Sequence, residues 1–406
     1  MVFQNSDMIR TWIFNTAFVV SAILLVMTGL TTWQEWLPGL TRHFNLGFEN
    51  NIAAWWSGAL LAVCAFFASD GYARFRHDDR SAAHAWLVVA AILLFLSADE
   101  IGSLHERLGL LGKSLNLGSW TLVLPLGALL GSAYVWAAIV LWRRGGTERR
   151  RMLVLSLGFA ILASVALQEF IEHAVVWESP AAKAIRRVVE EGTELAGMLV
   201  LIRVTSRNSF ASDERLPFQT FFDALKPLGV AFLLAAPFLV AVTLWLPDHG
   251  MRGRPSDWLA AVIFLGAGAL AARHVILSRE NVVAASFLVL LCGLASAVSV
   301  AADPLTMVAI GSFELSVRAV ALGTLVMATG GVLTLMVSVH WQEAAMLCGV
   351  VLIYLIVPVS LFSGHVFPLI LGVIACISAA HPTLEEKLAH STPDPSVRWR
   401  NLRENG

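Results

Sequence analysis

Charge is scarce in this chain. Lysine, arginine, aspartate and glutamate make up 14% of 406 residues, apolar residues make up 57%, and the mean hydropathy is +0.72. A soluble domain of this size cannot be built with so little polar surface, whereas repeated apolar runs of about 20 residues are what a bilayer requires. Cysteine is nearly absent. Cys64, Cys292, Cys348 and Cys376 each stand alone inside an apolar run. With no Cys-x-x-Cys pair and no cysteine in a polar loop, they read as small buried hydrophobes, not as disulfides or metal ligands. A phosphate loop, a dinucleotide-binding glycine fingerprint and a nucleophilic serine elbow are also missing. The formal net charge of −1 carries little information. In a membrane protein the placement of charge matters more than its balance.

What is present is a series of apolar runs. They predict an all-α polytopic integral membrane protein with about twelve transmembrane helices, near 12–30, 52–69, 85–107, 120–142, 152–175, 186–204, 228–246, 258–275, 282–300, 319–339, 344–361 and 365–380. The first is too long for a signal-peptide core and has no small-x-small cleavage site, so it is expected to be an uncleaved helix. The expected organisation is a six-helix membrane half over 1–204, a cytoplasmic linker over 205–227, a second and mostly apolar membrane half over 228–380, and a cytoplasmic tail over 381–406. A degenerate repeat of six plus six spans is suggested by Ser299-Val300-Ala301-Ala302-Asp303, which parallels Ser97-Ala98-Asp99, although the spacings differ by several residues.

Arginine and lysine set the orientation. With both termini cytoplasmic, the inner segments collect about two basic residues for each one outside, as the positive-inside bias requires. The expected location is a cell (inner) membrane. Arg143-Arg144 and Arg149-Arg150-Arg151 are the strongest inner markers. They read as topology determinants and contacts for anionic lipid headgroups, not as a nucleic-acid surface. Trp33, Trp36, Trp55, Trp56, Trp120, Trp177, Trp245 and Trp258 would form a belt at the outer interface.

Against this background three stretches stand out: Asp99-Glu100 through His105-Glu106-Arg107, Glu169 through Glu172-His173, and Glu190-Glu191 through Glu194. Alternating span direction puts all three at one depth near the outer face. Ionised groups at membrane depth cost several kcal/mol, so something must offset them. Eight carboxylates face three or four nearby cations, Arg107, Arg186, Arg187 and Lys183. The surplus calls for protons or bound cations. Two histidines among the carboxylates favour a metal that takes nitrogen and oxygen, such as zinc, iron or manganese. The spacing departs from the Glu-x-x-His of carboxylate-bridged di-iron bundles, because Glu169 and His173 are four apart.

The expected metal ligands are therefore Asp99, His105, Glu106, Glu169, His173 and Glu194, with Glu190 or Glu191 as general base. On one continuous helix Asp99, Ser103 and Glu106 share a stripe while His105 points away. His105 joins Asp99 only if the helix unwinds near Gly102. The function this predicts is a metal-dependent membrane enzyme, a hydrolase or oxidase, acting on a lipid or lipid-linked substrate, with membrane lipid as its surroundings. A proton- or cation-coupled transporter is the alternative, weakened by the lack of a relay in the inner half of the spans. A purely structural ion-pair network at the interface, or a scaffold subunit, is the plainer reading. Isolated His43, His249, His340 and His365 read as loop or cap residues, and Asp303 and Glu314 as residues of a solvated loop.

Overall fold

A computed structural model of the chain describes residues 6–33, 44–47, 51–174, 179–209, 307–310 and 313–316, together with the single positions Ala261 and Gly293. Within the helices, the side chains of residues 6–9, 169–174 and 209 lie outside the description. The linker expected over 205–227 begins inside α7, which runs to Ser209, and its remainder lies outside the description, as do the tail, the second member of the repeat, Asp303, the four isolated histidines and, apart from Ala261, Gly293 and the residues at 307–310 and 313–316, the half expected over 228–380.

The described part is helical apart from one hairpin. Seven helices follow one another: α1 Ser6–Trp33, α2 Ile52–Phe75, α3 Arg80–Gly102, α4 Leu104–Ser114, α5 Trp120–Arg144, α6 Gly146–Ala174 and α7 Pro180–Ser209. Five of them, in α1, α2, α3, α5 and α6, are long and apolar enough to cross a membrane. The chain is a membrane protein on that ground. The six leading spans expected from the sequence fall on α1, α2, α3, α5, α6 and α7, but the third stops at Gly102 instead of running to 107. Helix α7 falls on the sixth expected span but is not among these five: Glu190, Glu191 and Glu194 lie near its middle, with Lys183, Arg186 and Arg187 before them and Arg203 and Arg207 near its end. The loop expected around Glu314 instead contains an antiparallel hairpin, β1 Met307–Ile310 with β2 Phe313–Ser316, pairing Ala309 with Glu314.

The helices alternate in direction. Gly58 of α2 faces Ser97 and Ile101 of α3, and Gly71 faces Trp86. Tyr134 of α5 bonds Ser156 of α6 at 2.7 Å and packs on Phe159. Gly158 of α6 meets Gly197 and Leu201 of α7, and Leu25 and Gly29 of α1 meet Gly192 and Val188 of α7. The acidic stretches of α3, α6 and α7 therefore sit at one end of the bundle, here the acidic end. The arginine-rich starts of α1 and α6 and ends of α2, α5 and α7 sit at the other, the basic end.

Helix α2 is the centre, packed against both α3 and α7. Its small residues Ala53, Ala54, Gly58, Ala59 and Ala62 are buried and let its neighbours approach closely, the usual device where helices meet in lipid. The core is filled by Leu61, Trp86, Leu93, Ile101, Leu141, Met152, Leu155, Met198 and Leu201. By contrast, Trp12, Phe18, Ile23 and Val26 of α1 and Leu124, Leu129, Val135 and Ile139 of α5 are exposed, as suits hydrocarbon. Of the expected tryptophan belt, Trp33, Trp55, Trp56 and Trp120 lie at the acidic end, and Trp36, Trp177, Trp245 and Trp258 fall outside the described residues. Trp12 and Trp142 add a counterpart at the basic end, so aromatics mark both interfaces.

Local caps fix the connections. Asn51 accepts the amide of Ala54 at 2.7 Å and opens α2. Asp79 opens α3 by accepting from Ala82 at 3.0 Å. Between α5 and α6 the chain turns on Gly145 and Gly146, with φ of 76° and 54°. Two consecutive left-handed residues are the reason glycine stands at both positions.

Candidate functional site

At the acidic end, α3 does unwind where the site requires it. Helix α3 ends at Gly102, and Ser103 takes the left-handed conformation, φ 48° and ψ 47°, before α4 begins. The break is one residue past the glycine, on a serine that pays roughly 1 kcal/mol for that conformation. What offsets the cost is visible at each broken end. The Ser103 amide reaches back to the Asp99 carbonyl at 2.7 Å. The Gly102 carbonyl, an orphan at the helix terminus, accepts from Nε of buried Arg107 at 2.9 Å. At the start of α4, Ser103 makes no side-chain cap, and Asp99 serves in its place, with Oδ1 accepting the His105 amide at 2.8 Å.

The break also turns His105 toward Asp99. Its Nδ1 lies 3.0 Å from both Oδ1 and Oδ2 of Asp99. A carboxylate only accepts, so Nδ1 carries a proton in this pair. An imidazole oriented this way by a carboxylate is suited to bind a metal or take a proton through Nε2. The stripe expected to join Asp99, Ser103 and Glu106 does not form, because it presumed a continuous helix. Glu106 is exposed, whereas Asp99 and His105 are partly buried.

On α7, Arg187 sits between two carboxylates, 3.4 Å from Glu190 and 3.5 Å from Glu191. Glu191 is buried, 8% exposed, and Glu190 and Glu194 are half-buried. The Arg187 guanidinium also lies against Gly47, where any side chain would displace it. Gln168 of α6 donates to Thr193 of α7 at 3.2 Å, which ties the end of α6 to the acidic face of α7. Glu169 and His173 follow on the backbone of α6, with their side chains outside the description. Helix α2 packs against both α3 and α7. Among the described residues, no three His, Cys, Asp or Glu side chains are placed to share a metal ion.

The basic end holds residues that the sequence reading passed over. Glu148, in the first turn of α6, is 3% exposed, with Oε1 2.7 Å from Arg151 and 3.7 Å from Arg74 of α2. Arg151 also donates to Asn208 of α7 at 3.2 Å. One buried carboxylate thus links three helices, and Glu148 Oε2, Arg74 Nη1 and Asn208 Nδ2 are buried there without a hydrogen-bond partner. Alongside, Arg144 reaches Asp79 at 2.7 Å and lies 4.0 Å over the Phe75 ring. Arg149 stacks on Trp142 at 4.0 Å. The arginines expected to act as topology markers therefore include two, Arg144 and Arg151, that tie helices together. The signal in the sequence was Glu148 itself, the one carboxylate in the run Gly146-Thr147-Glu148-Arg149-Arg150-Arg151.

No curated protein and no solved structure matches the chain. Residues 13–209, from within α1 to the last residue of α7, match the model of a family described as a domain of unknown function (DUF8692), so this bundle, with both polar ends, is the part of the chain that resembles a known family.

Proposed function

We propose that the acidic end is a metal-dependent catalytic site acting on a lipid or lipid-linked substrate. The observation that carries this reading is the Asp99–His105 pair across the α3–α4 break, both carboxylate oxygens 3.0 Å from Nδ1. Asp99 then orients the imidazole, and His105 Nε2 is the metal-facing atom. Glu169 and His173 of α6, with Glu194 of α7 and Glu106 of α4, supply the remaining ligands. Zinc, iron or manganese suits such a mixed nitrogen and oxygen set. Glu190 or Glu191 is the general base, Glu191 being the more enclosed. The membrane is read as a cell (inner) membrane, with the basic end toward the cytoplasm.

Metal content of the purified full-length protein, measured by inductively coupled plasma mass spectrometry, tests this reading. Stoichiometric metal is expected in the wild type, with loss in His105→Ala and His173→Ala. A metal-free wild type, or variants that keep their metal, would refute it.

Proton- or cation-coupled transport is the second reading, and one observation favours it. Glu148 is a buried carboxylate at the end where the sequence offered no relay. Proton-driven uptake into liposomes that disappears in Asp99→Asn and Glu148→Gln would shift the assignment to transport.

A further inference from the structure

The far end of α4 turns apolar side chains outward. Leu104 opens the helix inside the core, and Gly109 and Gly112 are buried against the Gly118–Ser119 turn, where a Cβ at Gly112 would lie 2.8 Å from the Gly118 carbonyl. The helix closes on Asn116, which takes the left-handed conformation at φ 58°. The Leu117 amide donates to the Gly112 carbonyl at 2.8 Å, and the Asn116 amide to the Lys113 carbonyl at 3.0 Å. At a helix end of this kind, the residue in the place of Leu117 often packs on the side chain of the residue whose carbonyl it reaches. Here that residue is a glycine, so the motif itself offers Leu117 no apolar partner. Leu115 is 56% and Leu117 43% exposed, and Trp120, the first residue of α5, is exposed as well.

We infer that Leu115 and Leu117 insert into the boundary between headgroups and acyl chains, so that phospholipid anchors the far end of α4. Continuity with the lipid-facing side of α5 carries the choice of partner. Trp120 begins a helix long and apolar enough to cross the membrane, and Leu124 and Leu129 on it are exposed. The two leucines precede Trp120 by five and three residues, at the same end of the bundle. An interfacial helix keeps its apolar side chains in lipid and its charged ones among headgroups. Lys113, exposed in the last turn of α4, has a side chain long enough to reach a lipid phosphate. The same 11-residue helix starts beside the Asp99–His105 pair, so the anchor holds that pair near headgroup depth through a rigid element. The inference does not depend on a metal being bound there.

The test is photo-crosslinking of the full-length protein in phosphatidylcholine nanodiscs, with p-benzoylphenylalanine placed at Leu115, at Leu117 or, as the lipid-facing reference, at Leu124. Intact-protein mass spectrometry should show a one-phospholipid adduct from both tip positions, in yield within about twofold of the reference, as membrane insertion of the tip requires. A product joined mainly to a second copy would overturn the inference, as would one joined mainly to residues 210–406 of the same chain. So would the absence of a lipid adduct where Leu124 gives one. Anchoring is read separately, from amide hydrogen exchange of Leu115→Asp/Leu117→Asp in the same nanodiscs. Exchange over 104–117 should rise several-fold while that over 52–75 stays as in the wild type. Should the double variant fold poorly, Leu117→Asp alone, at an exposed position, is expected to give a smaller rise over the same residues. Unchanged exchange would mean that the leucines touch lipid without anchoring α4, and the inference would fail.

Discussion

The two ends of the bundle handle charge in different ways. At the basic end a single buried carboxylate, Glu148, joins α2, α6 and α7 through Arg74, Arg151 and Asn208, so the ion pairs hold separate helices together. At the acidic end two pairs stay within one segment. Arg187 meets Glu190 and Glu191 on its own helix, and Asp99 meets His105 six residues on. A network that crosses helices fixes a fold. Pairs within one segment orient side chains. The difference teaches that charge is put to separate uses at the two ends, joining helices at one and orienting side chains at the other.

The sharpest way to break this comparison is Glu148→Ala. Removing the shared carboxylate strands buried arginine charge, and a loss of about 3–5 kcal/mol is expected, seen as a lower denaturation midpoint in detergent. If the loss were no greater than that from an exposed pair, the basic end would not be the structural one. Gly197→Val comes next. A Cβ at Gly197 would lie 2.8 Å from Leu162 and 3.1 Å from the Gly158 carbonyl, so α6 and α7 must separate, at a cost of about 1–3 kcal/mol. Asp99→Asn keeps an acceptor for the His105 amide but loses the charge on Nδ1. Partial exposure limits the cost to about 1 kcal/mol, and the clearer readout is faster amide hydrogen exchange over 103–107. The smallest effect is expected from Arg144→Gln. Its pair with Asp79 is about one-third exposed at both ends, so about 0.2–1 kcal/mol is lost and adding salt should erase the difference.

Much of the architecture was legible because lipid leaves few choices. An apolar run of span length must be a helix, and alternation then places Asp99, Glu169 and Glu190 at one end without any tertiary information. The break after Gly102 was legible as a condition, since a glycine beside costly charges marks where a helix can yield. Its actual pivot, Ser103, was not. Serine has no left-handed preference of its own, and the conformation depends on Arg107 and Asp99 closing the two exposed helix ends. The Glu148 network was illegible for a different reason. Its partners Arg74 and Asn208 lie 74 and 60 positions away in sequence, and neither periodicity nor composition carries that pairing. Within its own segment Glu148 looks like an ordinary charge in a basic turn.

The reciprocal contact of Gly158 and Gly197 has a mechanical consequence. Each glycine lies against the other's carbonyl, and Leu162 and Leu201 close over the two, so α6 and α7 meet backbone to backbone at mid-depth. Two helices clamped at the centre, at Arg151–Asn208 below and at Gln168–Thr193 above behave as one strut. From Glu148 to Gln168 that strut runs about 30 Å at 1.5 Å per residue. A tilt imposed at one membrane face is thereby delivered to the other as an opposite displacement, placing Glu169 and His173 at the far arm of a beam whose near arm ends in Glu148.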